Sequence, residues 1–164
     1  ICSCEGPVAK LSPVAEQNLQ RFLSLGGLLW IDDPLADESG AFRTSITELM
    51  KRLWPDKPMQ PLTRRHVLFK SFFLIEQQGG RRQVGPVQGL ALGERLAVIL
   101  TPNDLLGALS GDLLGNQELT VDGGSLMREH ALRTAINLIM YSLCLDYKDD
   151  RVHLPFILKR RRLE

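Results

Sequence analysis

The chain is 164 residues long, with 44% apolar and 24% charged residues and a formal net charge of +1. That is enough sequence to bury a real core in one domain, and the composition excludes a disordered or fibrous chain. A near-zero net charge gives no bulk field for nucleic acid, and the longest uncharged apolar run, about 135–145, is too short to span a bilayer.

Residues 1–162 read as a single α/β domain. The opening at Ile1 predicts a fragment of a longer protein, and Leu163-Glu164 reads as a tag remnant. Cys2, Cys4 and Cys144 are too few for a disulfide framework. Cys2-Ser3-Cys4 has the look of half a metal site, but no further Cys or His cluster completes it, so no metal is expected. Cys144 is expected to pack in an apolar helix.

In chain order, residues 1–4 predict a short strand, with a turn at Glu5-Gly6-Pro7. Ser12-Pro13 predicts a helix start, with Ser as N-cap and Pro at the first position. Ala15, Leu19, Phe22 and Leu23 form its apolar stripe, and Gly26-Gly27 ends it. Residues 28–31 are wholly apolar, as in a strand covered on both faces. This strand runs into Asp32-Asp33-Pro34. Ser45 and Glu48 form a capping-box pattern ahead of a helix with stripe Ile46, Leu49, Met50, Leu53 and Trp54. Residues 66–70 predict a helical turn and 72–75 a strand. Gly79-Gly80-Arg81-Arg82 lies in a stretch predicted to be a mobile loop. Residues 95–101 form a strand that ends in Pro102-Asn103-Asp104. After a loop or insertion over 112–124, Ser125 is expected to cap a long helix reaching about residue 146. Its segment 135–145 is apolar nearly all round and is expected to be deeply buried. The tail carries Leu154-Pro155-Phe156-Ile157-Leu158 and then Lys159-Arg160-Arg161-Arg162, read as a solvated basic end. Alternating strands and helices predict a mainly parallel sheet with helices on both faces, with room for a strand upstream of Ile1.

The chemistry-bearing residues gather at strand ends. In open α/β sheets ligands lie outside the carboxyl ends of the strands. Asp32-Asp33 suits acid–base work or a metal, and equally suits a turn whose carboxylates accept backbone N–H groups. Asn103-Asp104 has the same two readings, including an N-cap for residues 105–109. Two apolar strands deliver acids to what would be one edge. Arg43 offers an anion contact or an ion pair with Asp32, Asp33 or Asp104. His66 offers a general base or a loop histidine satisfied by backbone. No nucleophile elbow and no phosphate loop occurs.

Several pieces in order, Gly26–Asp33, Phe42-Arg43, His66–Phe69, Arg95–Ile99 with Asn103-Asp104, and Asn137–Tyr141, together resemble a bacterial domain-of-unknown-function family. The ending Val152–Leu158 is similar as well. That family resembles a divergent branch of the class I glutamine amidotransferase-like superfamily, near the trehalose-utilisation (ThuA-like) proteins. The resemblance implies a flavodoxin-like three-layer sandwich. It also implies a soluble domain, often C-terminal in a membrane protein whose N-terminal region resembles BatA, with some relatives exported. No residue here matches the amidotransferase nucleophile. The positions that carry over as ligand-binding candidates are Asp32, Asp33, Arg43, His66, Asn103 and Asp104, with no established role.

The functional expectation is a non-catalytic domain of a bacterial cell-envelope protein. It binds a small polar ligand or another envelope protein, with no cofactor and no nucleic acid, and meets the membrane only through its parent. The alternative is a hydrolase or isomerase using the carboxylate cluster on a sugar-like substrate; a third reading is a purely structural domain.

Overall fold

The structure is a computed structural model and describes residues 1–111, 116–117 and 119–144. Much of the expected insertion, the end of the long helix beyond Cys144, the apolar segment 154–158, the basic run 159–162 and the terminal pair 163–164 lie outside the described residues.

Helix α1 (Pro13–Ser24) starts as the sequence predicts, with the Ser12 hydroxyl accepting the Ala15 N–H at 3.2 Å and Pro13 at the first position. Its stripe is shallower than expected, since Leu23 is buried but Phe22 is 55% exposed. Strand β1 (Leu29–Asp32) follows. Helix α2 (Ala41–Leu53) begins at Gly40, without a side-chain cap, and not at Ser45. The Ser45 hydroxyl is engaged otherwise, donating to the Phe42 carbonyl at 2.7 Å and accepting the Val8 N–H at 2.9 Å. Burial of Phe42 and Arg43 makes the extra turn worthwhile, and Ile46, Leu49, Met50 and Leu53 are buried as predicted.

The expected strand over 72–75 does not form. A 3-10 turn at Val67–Lys70 leads into irregular chain. There the Asn137 amide serves as the backbone partner a neighbouring strand would provide: it accepts the Phe73 N–H and donates to the Phe73 carbonyl, both at 2.8 Å, and donates to Leu68 at 3.0 Å. Two strands appear that the sequence reading missed, β2 (Gln60–Pro61) and β3 (Gln88–Leu92). β3 pairs antiparallel with β4 (Arg95–Thr101), Leu92 opposite Arg95, so the loop is the two residues Gly93-Glu94. Gly93 takes φ +68°, the left-handed conformation such short hairpin loops require.

The sheet order is β1-β4-β3-β2. β1 and β4 run parallel, β3 antiparallel to β4, and β2 antiparallel to β3. The sheet is therefore mixed, not mainly parallel, because a two-residue loop joins only antiparallel neighbours. The expected strand over 1–4 reduces to one parallel bridge, Cys2 with Ile31.

Apolar clusters lie on both faces of the sheet. One joins Trp30, Leu96 and Ile99 to the 3-10 turn, to α3 (Leu105–Leu109) and to α4 (Gly124–Leu143). The other joins Ile31, Ala97, Val98 and Leu100 to Leu23 of α1 and the α2 stripe. Ala97 and Val98 share a side because the register shifts between Leu90 and Ala91, leaving Ala97 as the extra residue of a bulge. The N-cap position of α4 is held by Gly123, at φ +88°, and not by Ser125. It buries Ala131, Ala135, Leu138 and Tyr141, yet Leu132, Ile139 and Leu143 are 50%, 51% and 71% exposed. The helix is thus not deeply buried all round: one sheet face covers one side of it, and the other carries apolar side chains to the surface. Cys144 is also exposed rather than packed.

Candidate functional site

Parallel pairing puts Asp32 opposite Thr101, so β1 and β4 end on the same edge and deliver their acids there. Asp32 is wholly buried. Its Oδ1 accepts the Thr101 hydroxyl at 2.5 Å and the Leu105 N–H at 3.0 Å, and its Oδ2 accepts the Leu106 N–H at 2.9 Å. These two N–H groups open α3, so Asp32 caps a helix from a different strand. Asp104 takes φ +53°, caps the same helix through the Gly107 N–H at 3.0 Å, and forms an ion pair with Arg81. Arg81 also donates to the Pro34 carbonyl at 3.2 Å, tying Asp104 to the loop that follows Asp33.

Asp33 faces the other way. It accepts the Leu35 N–H at 3.2 Å and pairs with Arg43 at 3.4 Å, both partners of the pair being buried. Asn103 is buried and bonded to its own side of the sheet: Oδ1 accepts the Val84 and Gly85 N–H groups at 2.8 and 3.1 Å, and Nδ2 donates to the Gly85 carbonyl at 3.0 Å. His66 does not join the others. Its Nδ1 accepts the Leu68 N–H at 3.2 Å and its ring lies 5.9 Å from that of Tyr141, whose hydroxyl accepts the Leu96 N–H at the amino end of β4. The length of β4, roughly 17 Å from Leu96 to Thr101 at about 3.3 Å per residue, separates it from the acids.

Burial pushes the Asp32 carboxyl above the usual carboxylate range; the Thr101 hydroxyl and the Leu106 and Leu105 N–H groups oppose that shift, and the nearby Asp104 adds to it. Burial also raises Asp33, against the Leu35 N–H and Arg43. Chemically the edge is a closed set of acceptors matched to donors. Among the described residues no buried side-chain nitrogen or oxygen lacks a partner, and no three His, Cys, Asp or Glu side chains gather as a metal ion needs.

A family model described as a domain of unknown function (DUF4159) matches residues 5–143, which takes in every element from α1 to the last residue of α4. The chain belongs to the DUF4159 family. No curated protein matches it.

Three residues of this DUF4159 edge were missed by sequence reasoning. Thr101 is the hub: it accepts the Trp30 indole N–H at 2.9 Å and donates to Asp32. Trp30 is itself the second, and no motif marks either. Arg81 is the third, and its signal was misread. The Gly79-Gly80-Arg81-Arg82 stretch is tied down, not free: the Arg81 and Arg82 N–H groups donate to the Asp104 and Asn103 carbonyls at 3.0 and 3.2 Å, and Gly79 donates to the Thr134 hydroxyl at 3.3 Å. Glycine is needed at 79 because a Cβ there would come 1.9 Å from the Ala131 backbone nitrogen of α4.

Beside this strap the DUF4159 fold leaves an open polar concavity of about 520 Å³, walled by Arg64, Glu76, Gln77, Gln78 and Gln83 with Asn103 at its back. The volume lies in the range of small-molecule sites. Gln78 is oriented by the Val87 N–H at 2.8 Å; Arg64, Glu76, Gln77 and Gln83 are exposed.

Proposed function

We propose that this DUF4159 domain is a non-catalytic binding domain whose acid cluster is a structural clasp and whose ligand surface is the polar concavity beside Asn103. The observation that carries the reading is the saturation of the carboxylates. Asp32 has three donors, Asp104 has Arg81 and a helix N–H, and Asp33 has Arg43 and a turn N–H. A general acid or base needs an oxygen facing substrate, and these face their own backbone. The concavity offers the complement: amides, a guanidinium and a carboxylate on a bonded scaffold, suited to a small ligand rich in hydroxyl or amide groups.

Two finer readings accompany this one. The parallel run of Cys2, β1 and β4 with helices on both faces supports a variant of the flavodoxin-like, class I glutamine amidotransferase-like plan, with an antiparallel hairpin on one side. The parent is read as a membrane-anchored or exported cell-envelope protein with envelope partners. No helix among the described residues is long and apolar enough to cross a membrane, which is compatible with an extramembrane domain of such a protein.

The test is a titration of isotope-labelled protein with monosaccharides, disaccharides and free amino acids, followed by amide chemical shifts. Shifts confined to Gln77, Gln78, Gln83 and Gly85, weakened by Gln77→Ala, support the reading. Turnover of an added compound that is lost in Asp32→Asn while the fold is retained overturns it. So does silence at the concavity with every compound at millimolar concentration.

A further inference from the structure

Two opposite charges in the polar concavity lack partners of their own. Arg64 and Glu76 both line it, and both are exposed. Among the described residues neither side chain forms an ion pair or a hydrogen bond. The carboxamides beside them are half used. The Gln78 Oε1 accepts the Val87 N–H at 2.8 Å, which leaves the Gln78 NH2 group as a donor. The Gln83 Nε2 donates to the Met127 sulfur at 3.3 Å, which leaves the Gln83 Oε1 as an acceptor. Behind them the buried Asn103 side chain fixes the backbone, accepting the Val84 and Gly85 N–H groups and donating to the Gly85 carbonyl. The concavity thus offers a cation, an anion, an amide donor and an amide acceptor on a bonded floor.

We propose that the ligand of this concavity is a short peptide with both ends free, of two or three residues. The inference rests on the reading of the concavity as the ligand surface and names the class of molecule it takes. At about pH 7 such a peptide carries a carboxylate at one end and an ammonium group at the other. The planar guanidinium of Arg64 takes the carboxylate through paired N–H donors, and Glu76 takes the ammonium group. The peptide group between the ends presents a C=O and an N–H, the complement of the Gln78 NH2 group and the Gln83 Oε1. A neutral sugar can bond to the amides but leaves Arg64 and Glu76 unused. A free amino acid carries both charges but has no peptide group, and it leaves most of the volume of about 520 Å³ unfilled.

The test follows the amide chemical shifts of the isotope-labelled full chain at about pH 7, where both peptide ends are charged. The probes are alanylalanine, its N-acetyl form, its C-terminal amide, free alanine and maltose. Alanylalanine shifts Gln77, Gln78, Gln83 and Gly85 at the lowest concentration. The N-acetyl form and the amide each bind about two- to fivefold more weakly, the worth of one solvent-exposed charge pair. Arg64→Gln removes the difference between the dipeptide and its amide, Glu76→Gln removes that between the dipeptide and its N-acetyl form, and each leaves the other difference in place. Both substitutions are at exposed positions, and an unchanged spectrum away from the concavity confirms the fold. Equal Kd for the three dipeptide forms overturns the inference and leaves the concavity standing as a ligand surface. So does alanine or maltose binding there at least as tightly as the dipeptide, and so do differences that persist in both variants. Silence at these residues with all the probes overturns the inference together with the reading it rests on.

Discussion

Replacing Asp32 tests the structural reading of the acid cluster most directly. Asp32→Ala removes the acceptor of three buried donors, the Thr101 hydroxyl and the Leu105 and Leu106 N–H groups. A buried donor left without an acceptor costs about 1–3 kcal/mol. Part of that is offset, because a buried carboxylate next to Asp104 is removed as well. The net loss expected is about 3–5 kcal/mol, the range seen when a buried polar network loses a member. Asp32→Asn keeps the volume and one oxygen, but its NH2 group meets the Leu106 N–H. It should cost about 1–3 kcal/mol, less than Ala. Equilibrium unfolding in urea, followed by the emission of Trp30 and Trp54, measures both. With a slope of about 2 kcal/mol/M, Asp32→Ala lowers the midpoint by roughly 2 M at unchanged slope. A loss under about 0.5 kcal/mol would refute the clasp. A gain in stability in Asp32→Asn would do more, since it is the signature of a side chain held at a cost to stability for function.

The remaining expectations use other parts of the fold. Burial raises the folded-state proton affinity of Asp32 and Asp33 above the unfolded value of 3.8, so the native state binds more protons between 3.8 and the raised values and this contribution to stability falls as pH rises through that window. The stability advantage of wild type over Asp32→Asn should therefore widen as pH falls from 7 toward 4, and a constant difference in urea midpoint would contradict the assignment. Leu138→Ala, in the buried face of α4, should cost about 2–5 kcal/mol, and thermal unfolding within about 0.5 kcal/mol of wild type would place that helix outside the core. Gly79→Ala forces a Cβ against the α4 backbone and should cost about 1–3 kcal/mol while freeing the strap. Trypsin should then cleave at Arg81 and Arg82 faster than in wild type; equal cleavage would mean the strap is not held from this point.

What the sequence made legible is what local chemistry decides. Ser12-Pro13 fixes the start of α1, the unbroken apolar runs mark β1 and β4, and Asp104 caps α3, each within a few residues of chain. The errors lie where a distant partner decides. Ser45 has a capping box in sequence, but its hydroxyl is taken by Val8 and the burial of Phe42 carries the helix a turn further back. Phe72 to Ile75 has strand composition, but Asn137, sixty-four residues from Phe73, takes the backbone bonds. The β3–β4 hairpin was within reach of local reasoning: Gly93-Glu94 between Leu-Ala-Leu and Arg-Leu-Ala is a two-residue loop signal that the reading passed over.

The acid cluster shows why a site and a clasp look alike in sequence. Acids at the carboxyl ends of parallel strands stand where following helices present free N–H groups, and those groups bind anions. In a ligand site the anion comes from outside. In this DUF4159 domain it is Asp32, lying at the Leu105 and Leu106 N–H groups as a bound carboxylate would, though it belongs to a strand seventy-three residues earlier in the chain. Both uses call for an acid after β1, a capping residue after β4 and parallel pairing of the two strands. The difference lies only in whether the donors are already filled, and that depends on a strand register and an Arg81 contact made across the fold. Sequence patterns at one strand end carry no information about either, so the two readings separate only where the long-range partners of each oxygen can be counted.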